Sequence, residues 1–223
     1  MKISVLIPTY NEAKEIGRII KEIKQQDLDV IVVDDGSSDN TFQIAQKSGA
    51  IAQRNQINEG KGASLIKGFA MCLSRGYDAV ITMDGDGQHL PQDLPRFIRR
   101  AGESDSQILI GNRMQDTGSM PWLRIHTNQL MSDFISLIAK QKIPDSQCGF
   151  RLIKKDALEK MKLVTKNYEI ESEILIKAAR LRFKIESIPI TTVYSGEKSN
   201  INPFVDTLRF VRLIMKELWS GSR

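Results

Sequence analysis

The sequence predicts an α/β fold in which a mostly parallel sheet is flanked by helices. Short runs rich in β-branched residues recur without polar alternation, a pattern typical of strands covered on both faces. Segments whose apolar residues recur at helical spacing alternate with these runs. The chain has 223 residues, which suffices for one large domain of this kind. We therefore expect a single domain over 1–223.

The first half of the chain forms a regular series of predicted strands and helices. The first strand is predicted at 3–7 (ISVLI) and the second at 29–35 (DVIVVDD), with isoleucines at helical spacing between them. The elements that follow in order are a helix from Asp39 through Gln46, a short strand at 50–54, a helix at 62–76, a strand at 78–83, a helix after Pro91 and a strand at 107–113.

The alternation of predicted strands and helices becomes less regular after Arg113. Helices are predicted near 122–140, 155–162 and 169–181, with the segments CGFRLIKK before the second and RFKIESIPITTVY after the third. The two halves meet near residue 112 without a sharp boundary, and the pattern favours one continuous domain over two.

Composition disfavours several classes of protein. The two cysteines form no CxxC pair and the opening apolar run is short for a signal peptide, so we expect a reducing, cytoplasmic setting. Two histidines and isolated thiols disfavour a zinc site. No stretch approaches the length of a membrane span. The net charge of +5 suits phosphate-bearing partners, although a solvated Lys- and Arg-rich exterior explains it more simply.

Acidic side chains follow the predicted strands where each of them ends. In parallel sheets, ligands bind at the carboxyl ends of the strands. A helix cap explains Asp39 but not the two aspartates before it, which suit ribose hydroxyls or base N–H groups. The residues at these ends are Pro8, Tyr10 and Glu12 on the first strand, Asp34 and Asp35 on the second, and Asp84 and Asp86 on the fourth.

The segment MDGDGQH places two carboxylates one residue apart after a buried strand. Like charges at this distance cost free energy unless a cation lies between them. Asp84, Asp86 and Gln88 offer oxygen ligands, and the intervening glycines permit a tight turn, which favours Mg²⁺ or Mn²⁺ shared with a substrate phosphate.

Two alternatives to a metal site remain open for this segment. Glycine-flanked aspartates also form simple turns. Phosphatases of the haloacid dehalogenase type use the first Asp of such a pair as nucleophile, which would be Asp84, but Gln88 stands where they have Thr or Val. The segment NEGKGAS, in turn, fits neither the P-loop nor the dinucleotide fingerprint.

Six motifs together resemble one family. IPTYNE, VDDGSSDNT, NEGKGAS, MDGDGQH, GNR and DSQCGFRL occur in the order and approximate spacing of family 2 glycosyltransferases. The chain most resembles the branch that contains dolichyl-phosphate mannose synthase and bacterial polyprenyl-phosphate glycosyltransferases. The likeness extends to TVYSGEKSNINPFVDTLRF near the end. It implies a Rossmann-like fold of GT-A type, with a nucleotide-sugar half at 1–112 and an acceptor half at 113–223.

The resemblance also implies roles for particular residues. Asp145 matches an acidic active-site position of the family, and Asp86 is implied to be catalytic as well as metal-binding. The nucleotide-sugar site is implied to include Pro8, Tyr10, Glu12, Asp35, Lys61 and Asp84; the metal site Asp84, Asp86 and Gln88; and the acceptor-phosphate site Arg113, Arg124 and Asn128.

The implied reaction is metal-dependent, inverting transfer of a hexose from a donor such as GDP-mannose or UDP-glucose to a polyprenyl or dolichyl phosphate. Lys61 would assist the departing diphosphate. A lipid phosphate is already charged near pH 7 and needs no base, whereas a hydroxyl acceptor requires one, for which Asp145 is the candidate. A non-catalytic nucleotide-binding module is a further alternative, and no nucleic acid partner is expected.

A lipid acceptor requires access to a bilayer. The predicted helix at 203–219 carries apolar residues along one side and would lie in the headgroup layer as a peripheral contact, alone or through a membrane partner. Packing of that side onto the domain is the alternative.

Overall fold

A computed structural model describes residues 1–115, 117, 120–193, 209, 210 and 212–215. Most of the predicted helix at 203–219 lies outside these residues, and the described part of it is helical. The strands are β1 (Ile3–Thr9), β2 (Asp29–Asp34), β3 (Ile51–Arg54), β4 (Ala79–Thr82), β5 (Ile108–Asn112), β6 (Arg151–Lys154) and β7 (Ile185–Pro189). The helices are α1 (Ile16–Lys24), α2 (Thr41–Lys47), α3 (Lys61–Ser74), α4 (Leu94–Glu103), α5 (Trp122–Ala139), α6 (Lys155–Lys160) and α7 (Ile170–Arg180).

The seven strands form one sheet in the order β3-β2-β1-β4-β6-β5-β7. Neighbouring strands are parallel except at β6, which runs antiparallel to both β4 and β5. Because strands from both halves of the chain share this sheet, the prediction of a single, mostly parallel α/β domain is confirmed. In the register, Thr9 at the end of β1 lies opposite Asp34 at the end of β2, so both strands end at one edge.

The core lies on the two faces of the sheet. On α1, the four isoleucines predicted from helical spacing are fully buried. Helix α4 buries Phe97, whose ring stacks on that of Phe150 at 4.5 Å between centroids. Within the described part of the chain, no helix combines the length and apolarity that crossing a membrane requires.

Arg151 joins three segments beneath the carboxyl edge of the sheet. This side chain at the start of β6 is 1% exposed. Its guanidinium donates hydrogen bonds to the backbone carbonyls of Ser146 at 2.7 Å, Cys148 at 2.7 Å and Glu171 at 2.6 Å. Burial lowers the pKa of Arg151, and the three carbonyls offset the loss of water. Arg151 thus fixes the start of α7 against the loop before β6.

We expect Arg151→Met to lower the free energy of unfolding by about 3 kcal/mol or more, because it removes the guanidinium donor from three buried carbonyl groups. Urea denaturation followed by circular dichroism measures this change. The matched control is Arg99→Met, at an exposed arginine of α4, which should alter stability by about 0.5 kcal/mol or less. Equal stability of the two variants would contradict the structural role of Arg151.

Candidate functional site

A cavity of about 430 Å³ opens at the carboxyl ends of β1, β2 and β4. Ten of the twelve site residues named from the sequence line it, and Asn128 and Asp145 do not. The lining comprises Pro8, Thr9, Tyr10, Glu12, Asp35, Asn58, Gly60, Lys61, Ser64, Asp84, Gly85, Asp86, Gln88, His89, Arg113, Arg124, Gln147, Asn167, Tyr168 and Glu171.

Asp35 organises the loop between β3 and α3. Its buried carboxylate accepts hydrogen bonds from the backbone N–H groups of Glu59 at 2.9 Å and Gly60 at 2.8 Å. The amide of Asn55 donates to it at 2.8 Å. A carboxylate has about four acceptor positions, so these three bonds leave room for one further donor in the cavity. Asp35 therefore shapes the loop and retains a position for a ligand hydroxyl or N–H group.

Lys61 lies between two carboxylates that come from distant parts of the chain. Its ammonium is 2.6 Å from an oxygen of Asp84 and 2.6 Å from an oxygen of Glu171. Burial alone would lower the pKa of Lys61, but the two carboxylates outweigh burial and raise it. Burial would raise the pKa of Asp84, but Lys61 outweighs that effect and lowers it to about 2. In this structure, the cation that neutralises Asp84 is therefore the lysine.

Close backbone packing determines where Lys61 lies. Gly60 precedes α3 with φ +100° and lies against the carbonyl of Lys166, where a Cβ would clash. A Cβ on Gly62 would lie 2.5 Å from the carbonyl oxygen of Thr165. The backbone N–H of Ala63 donates to the Lys166 carbonyl at 3.1 Å. The two glycines thus allow the loop before α7 to press against the first turn of α3.

Glu173 holds that loop in place from beneath. Its fully buried carboxylate accepts hydrogen bonds from the backbone N–H groups of Val164 and Thr165, from the Thr165 hydroxyl at 2.6 Å and from the Lys177 ammonium at 2.6 Å. Burial would raise the pKa of Glu173, but these donors outweigh burial and lower it. The anchored loop packs on the glycines that flank Lys61, so Glu173 positions Lys61 indirectly.

His89 supports the turn that carries Asp84 and Asp86. The backbone N–H of Asp84 donates to His89 Nδ1 at 3.3 Å, which assigns the ring proton to Nε2. The ring is buried and lies 5.3 Å from that of Phe150. Burial lowers the pKa of His89 to about 4, although Asp84 acts in the opposite direction. His89 is therefore a neutral, structural imidazole at neutral pH.

Arg113 is oriented by Asp145 in a buried ion pair. The Arg113 guanidinium donates to both carboxylate oxygens of Asp145, at 2.7 and 2.8 Å, and its backbone N–H donates at 3.1 Å. Burial would raise the pKa of Asp145, but the hydrogen bonds and charge of Arg113 outweigh it and lower that pKa. Because Asp145 is fully buried outside the cavity lining, its geometry suits positioning of Arg113 better than removal of a proton from a substrate.

Asn128 and Arg124 lie on α5 in different surroundings. Arg124, near the start of the helix, lines the cavity. Asn128 is 7% exposed on the inner side of the helix, and its amide lies 4.0 Å from the sulfur of Met120. The prediction that Asn128 contacts a ligand therefore gains no support from the cavity lining, because the side chain packs inward.

The predicted metal ligands fit a divalent cation that is shared with a substrate. Among the described residues, no three His, Cys, Asp or Glu side chains group so as to hold a metal ion. Asp84, Asp86 and Gln88, however, all line the cavity, and Asp86 accepts the Gln88 backbone N–H at 2.9 Å. Mg²⁺ is commonly held by one or two carboxylates together with substrate phosphates. Two carboxylates and an amide thus provide part of such an oxygen donor set.

Sequence reasoning missed the contribution of α7. Glu171 lines the cavity and Glu173 anchors the loop, yet neither was named as a candidate. The sequence did indicate that one of these two glutamates is buried, because residues two apart project from nearly opposite sides of a helix. Glu171 and Glu173 could not both face solvent on one side of α7, and a buried glutamate usually has a defined partner.

We expect Glu173→Gln to lower the free energy of unfolding by about 2 kcal/mol at pH 7, because the Lys177 charge loses its partner and an amide nitrogen faces backbone donors. The folded-state pKa of Glu173 lies below its unfolded value of about 4.3, so the ionised group stabilises the fold above that value. This contribution disappears as pH falls through the folded-state pKa.

Urea titrations between neutral pH and pH 3 test this expectation, with Glu159→Gln at an exposed glutamate as control. Wild type and the control should lose stability more steeply than Glu173→Gln below about pH 4.3. Parallel curves for all three proteins would show that the Glu173 carboxylate does not stabilise the loop.

Comparisons with known proteins agree on a family and a fold. Residues 4–162 match the family model described as Glycosyl transferase family 2. The UDP-N-acetylglucosamine–dolichyl-phosphate N-acetylglucosaminyltransferase of Methanococcus voltae is 30% identical, covering 97% of this chain and 96% of that protein. The undecaprenyl-phosphate mannosyltransferase of Micrococcus luteus is 30% identical, covering 86% and 84%.

The fold also matches a solved enzyme structure. Glucosyl-3-phosphoglycerate synthase from Mycobacterium tuberculosis, in complex with Mn²⁺, UDP and glucosyl-3-phosphoglycerate, aligns with a TM-score of 0.73. The alignment covers 98% of this chain and 79% of that one at 18% identity. At this identity the similarity supports the fold, and the GT-A architecture expected from the motifs is confirmed.

Proposed function

The chain belongs to glycosyl transferase family 2, and we propose that it transfers a hexosyl group from a nucleotide sugar to a polyprenyl or dolichyl phosphate with inversion at the anomeric carbon. One observation carries the proposal: Asp84, Asp86 and Gln88 line the same cavity as Arg113 and Arg124. The first set suits a metal-bound diphosphate and the second suits an incoming phosphate. The names of the two relatives, which specify dolichyl phosphate and undecaprenyl phosphate, support this acceptor class.

The donor side requires groups that tolerate a departing diphosphate. Asp84, Asp86 and Gln88 would hold Mg²⁺ or Mn²⁺, as the metal-containing structural relative also suggests. A divalent cation bound there would neutralise charge on the leaving diphosphate. Lys61 already lies in the cavity against Asp84 and can turn its ammonium toward the same phosphates. Asp35, with one remaining acceptor position, would bind a hydroxyl of the ribose or an N–H group of the base.

The acceptor side requires cations more than a base. Asp145 fixes the guanidinium of Arg113 at the cavity, so Arg113 can receive a phosphate without first losing side-chain freedom. A phosphate oxygen forms the new bond to the anomeric carbon while the bond to the diphosphate breaks on the opposite face. Because this nucleophile carries charge near pH 7, no proton has to be removed. Family membership leaves the phosphatase and non-catalytic alternatives without support.

The direct test is incubation with Mg²⁺ or Mn²⁺, a panel of nucleotide sugars and a polyprenyl phosphate, followed by mass spectrometry of the lipid. We expect one donor to yield a glycosyl phospholipid and its nucleoside diphosphate. Transfer to a hydroxyl compound, with no product on the lipid phosphate from any donor, would overturn the proposed acceptor class.

We expect Asp86→Asn to reduce turnover about a hundredfold or more, because it removes a charged ligand from the diphosphate-bound metal. Isothermal titration with Mn²⁺ and a nucleoside diphosphate should show weaker metal binding. The matched control is Asp105→Asn, at an exposed aspartate paired with Lys184, which should leave both quantities unchanged. Full turnover by Asp86→Asn would contradict the assignment of Asp86 as a ligand.

We expect Asp145→Asn to raise KM for the acceptor phosphate about tenfold or more, because Arg113 loses its charged partner. Turnover at saturating acceptor and its pH profile should change much less. The control is Asp133→Asn, at an exposed position of α5. If Asp145 acts instead as a general base, the substitution should lower kcat and remove the acidic limb of its pH profile.

A further inference from the structure

The outer face of α5 carries apolar residues where a surface helix ordinarily carries polar ones. Leu123, Leu130 and Leu137 are 63%, 72% and 75% exposed, and Phe134 is 44% exposed. The spacing of these four residues places them along one side of the helix. We refer to this set as the α5 apolar stripe.

The inner face of α5 is the more polar of the two. Its buried positions include Asn128 and Ser132 beside Ile135 and Ala139. A helix at the surface of a globular protein normally turns its apolar side to the core and its polar side to water. Arg124 and Asp133 are the charged residues of the whole helix, and only Asp133, at the border of the stripe, is exposed. The outer side of α5 is therefore suited to contact with an apolar medium.

We propose that the α5 apolar stripe inserts into the surface of the membrane that holds the lipid acceptor, an inference that rests on the proposed function. The stripe begins at Leu123, next to Arg124, which lines the catalytic cavity. An acceptor whose phosphate reaches Arg113 and Arg124 keeps its hydrocarbon chain in the bilayer. The part of the surface that adjoins these arginines must therefore approach the membrane.

Positive charge beside the stripe suits anionic headgroups. Lys140 and Lys142 are exposed at the end of α5 and line a cleft of about 650 Å³ along the same helix. Arg212 is exposed on the helical residues near the end of the described chain, where the Phe210 ring lies 6.4 Å from that of Phe134. An apolar helix face bordered by cations is the pattern of helices that lie in the plane of an anionic interface.

A protein partner fits the stripe less well than a membrane does. A strip one helix wide, about 10 Å by 27 Å, is much smaller than the roughly 800 Å² that each partner contributes to a stable protein interface. The sequence placed a membrane contact in the helix at 203–219. In its described part Leu213 and Ile214 are buried, whereas Met215, which belongs to the predicted apolar side, is 64% exposed. This part of the helix therefore packs onto the domain on one side, and among the described residues α5 carries the longer row of exposed apolar side chains.

The test compares the full-length wild type with the double variant Leu130→Gln, Leu137→Gln. The matched control is Leu181→Gln, at an exposed leucine after α7. Sedimentation with vesicles of phosphatidylcholine and phosphatidylglycerol measures membrane binding. We expect the double variant to bind about tenfold or more weakly, with the control unchanged, because two apolar side chains no longer leave water. Unaltered circular dichroism and thermal unfolding would show that the fold is retained.

Activity with two acceptors separates this inference from the proposed function. Transfer to a long-chain polyprenyl phosphate in vesicles should fall in the double variant, whereas transfer to water-soluble citronellyl phosphate should not. Equal vesicle binding by all three proteins, or conversion of a dimer to a monomer without loss of vesicle binding, would overturn the inference. Lost vesicle binding in the variant, with no transfer to either acceptor by the wild type, would support the membrane contact and overturn the proposed function.

Discussion

The site depends on the ion pairs that the Lys61 ammonium forms with Asp84 and Glu171. The ammonium draws together the end of β4, the first turn of α3 and the first turn of α7, with each oxygen 2.6 Å from the nitrogen. Buried charges are stable only when they are paired and hydrogen-bonded. The glycines that flank Lys61, the loop that presses on them and the carboxylate of Glu173 beneath that loop all serve to keep this nitrogen in place.

The same principle organises the other side of the cavity. Arg113 reaches the cavity already fixed by Asp145, just as Lys61 reaches it already fixed by Asp84 and Glu171. Donor and acceptor of the proposed reaction are both phosphates, so the protein must bring two anions together. Cations held in position by carboxylates can do so with little reorganisation when substrate arrives. Lys61 and Arg113 supply the positive charge, so the site needs no charged histidine. Burial in turn keeps His89 neutral.

Much of this architecture was predictable from local sequence. Patterns within a few residues were enough for this: β-branched runs predicted strands, and the spacing of isoleucines predicted α1. The glycines between the carboxylates after β4 predicted a tight turn. The antiparallel direction of β6 and the pairing of Lys61 with Glu171 were not predictable, because they join segments far apart in the chain. The burial of Asp145 was missed for the same reason, since its partner Arg113 lies 32 residues away. For α5 the sequence predicted a helix near 122–140 but could not tell that its leucines face outward.

Anomalous diffraction from crystals grown with Mn²⁺ and a nucleoside diphosphate tests the central claim most directly. The account predicts a manganese peak bounded by Asp84, Asp86 and the diphosphate, with the Lys61 ammonium in contact with a phosphate oxygen. A bound nucleotide with no manganese at these aspartates, and with no phosphate oxygen in contact with the Lys61 ammonium, would contradict it.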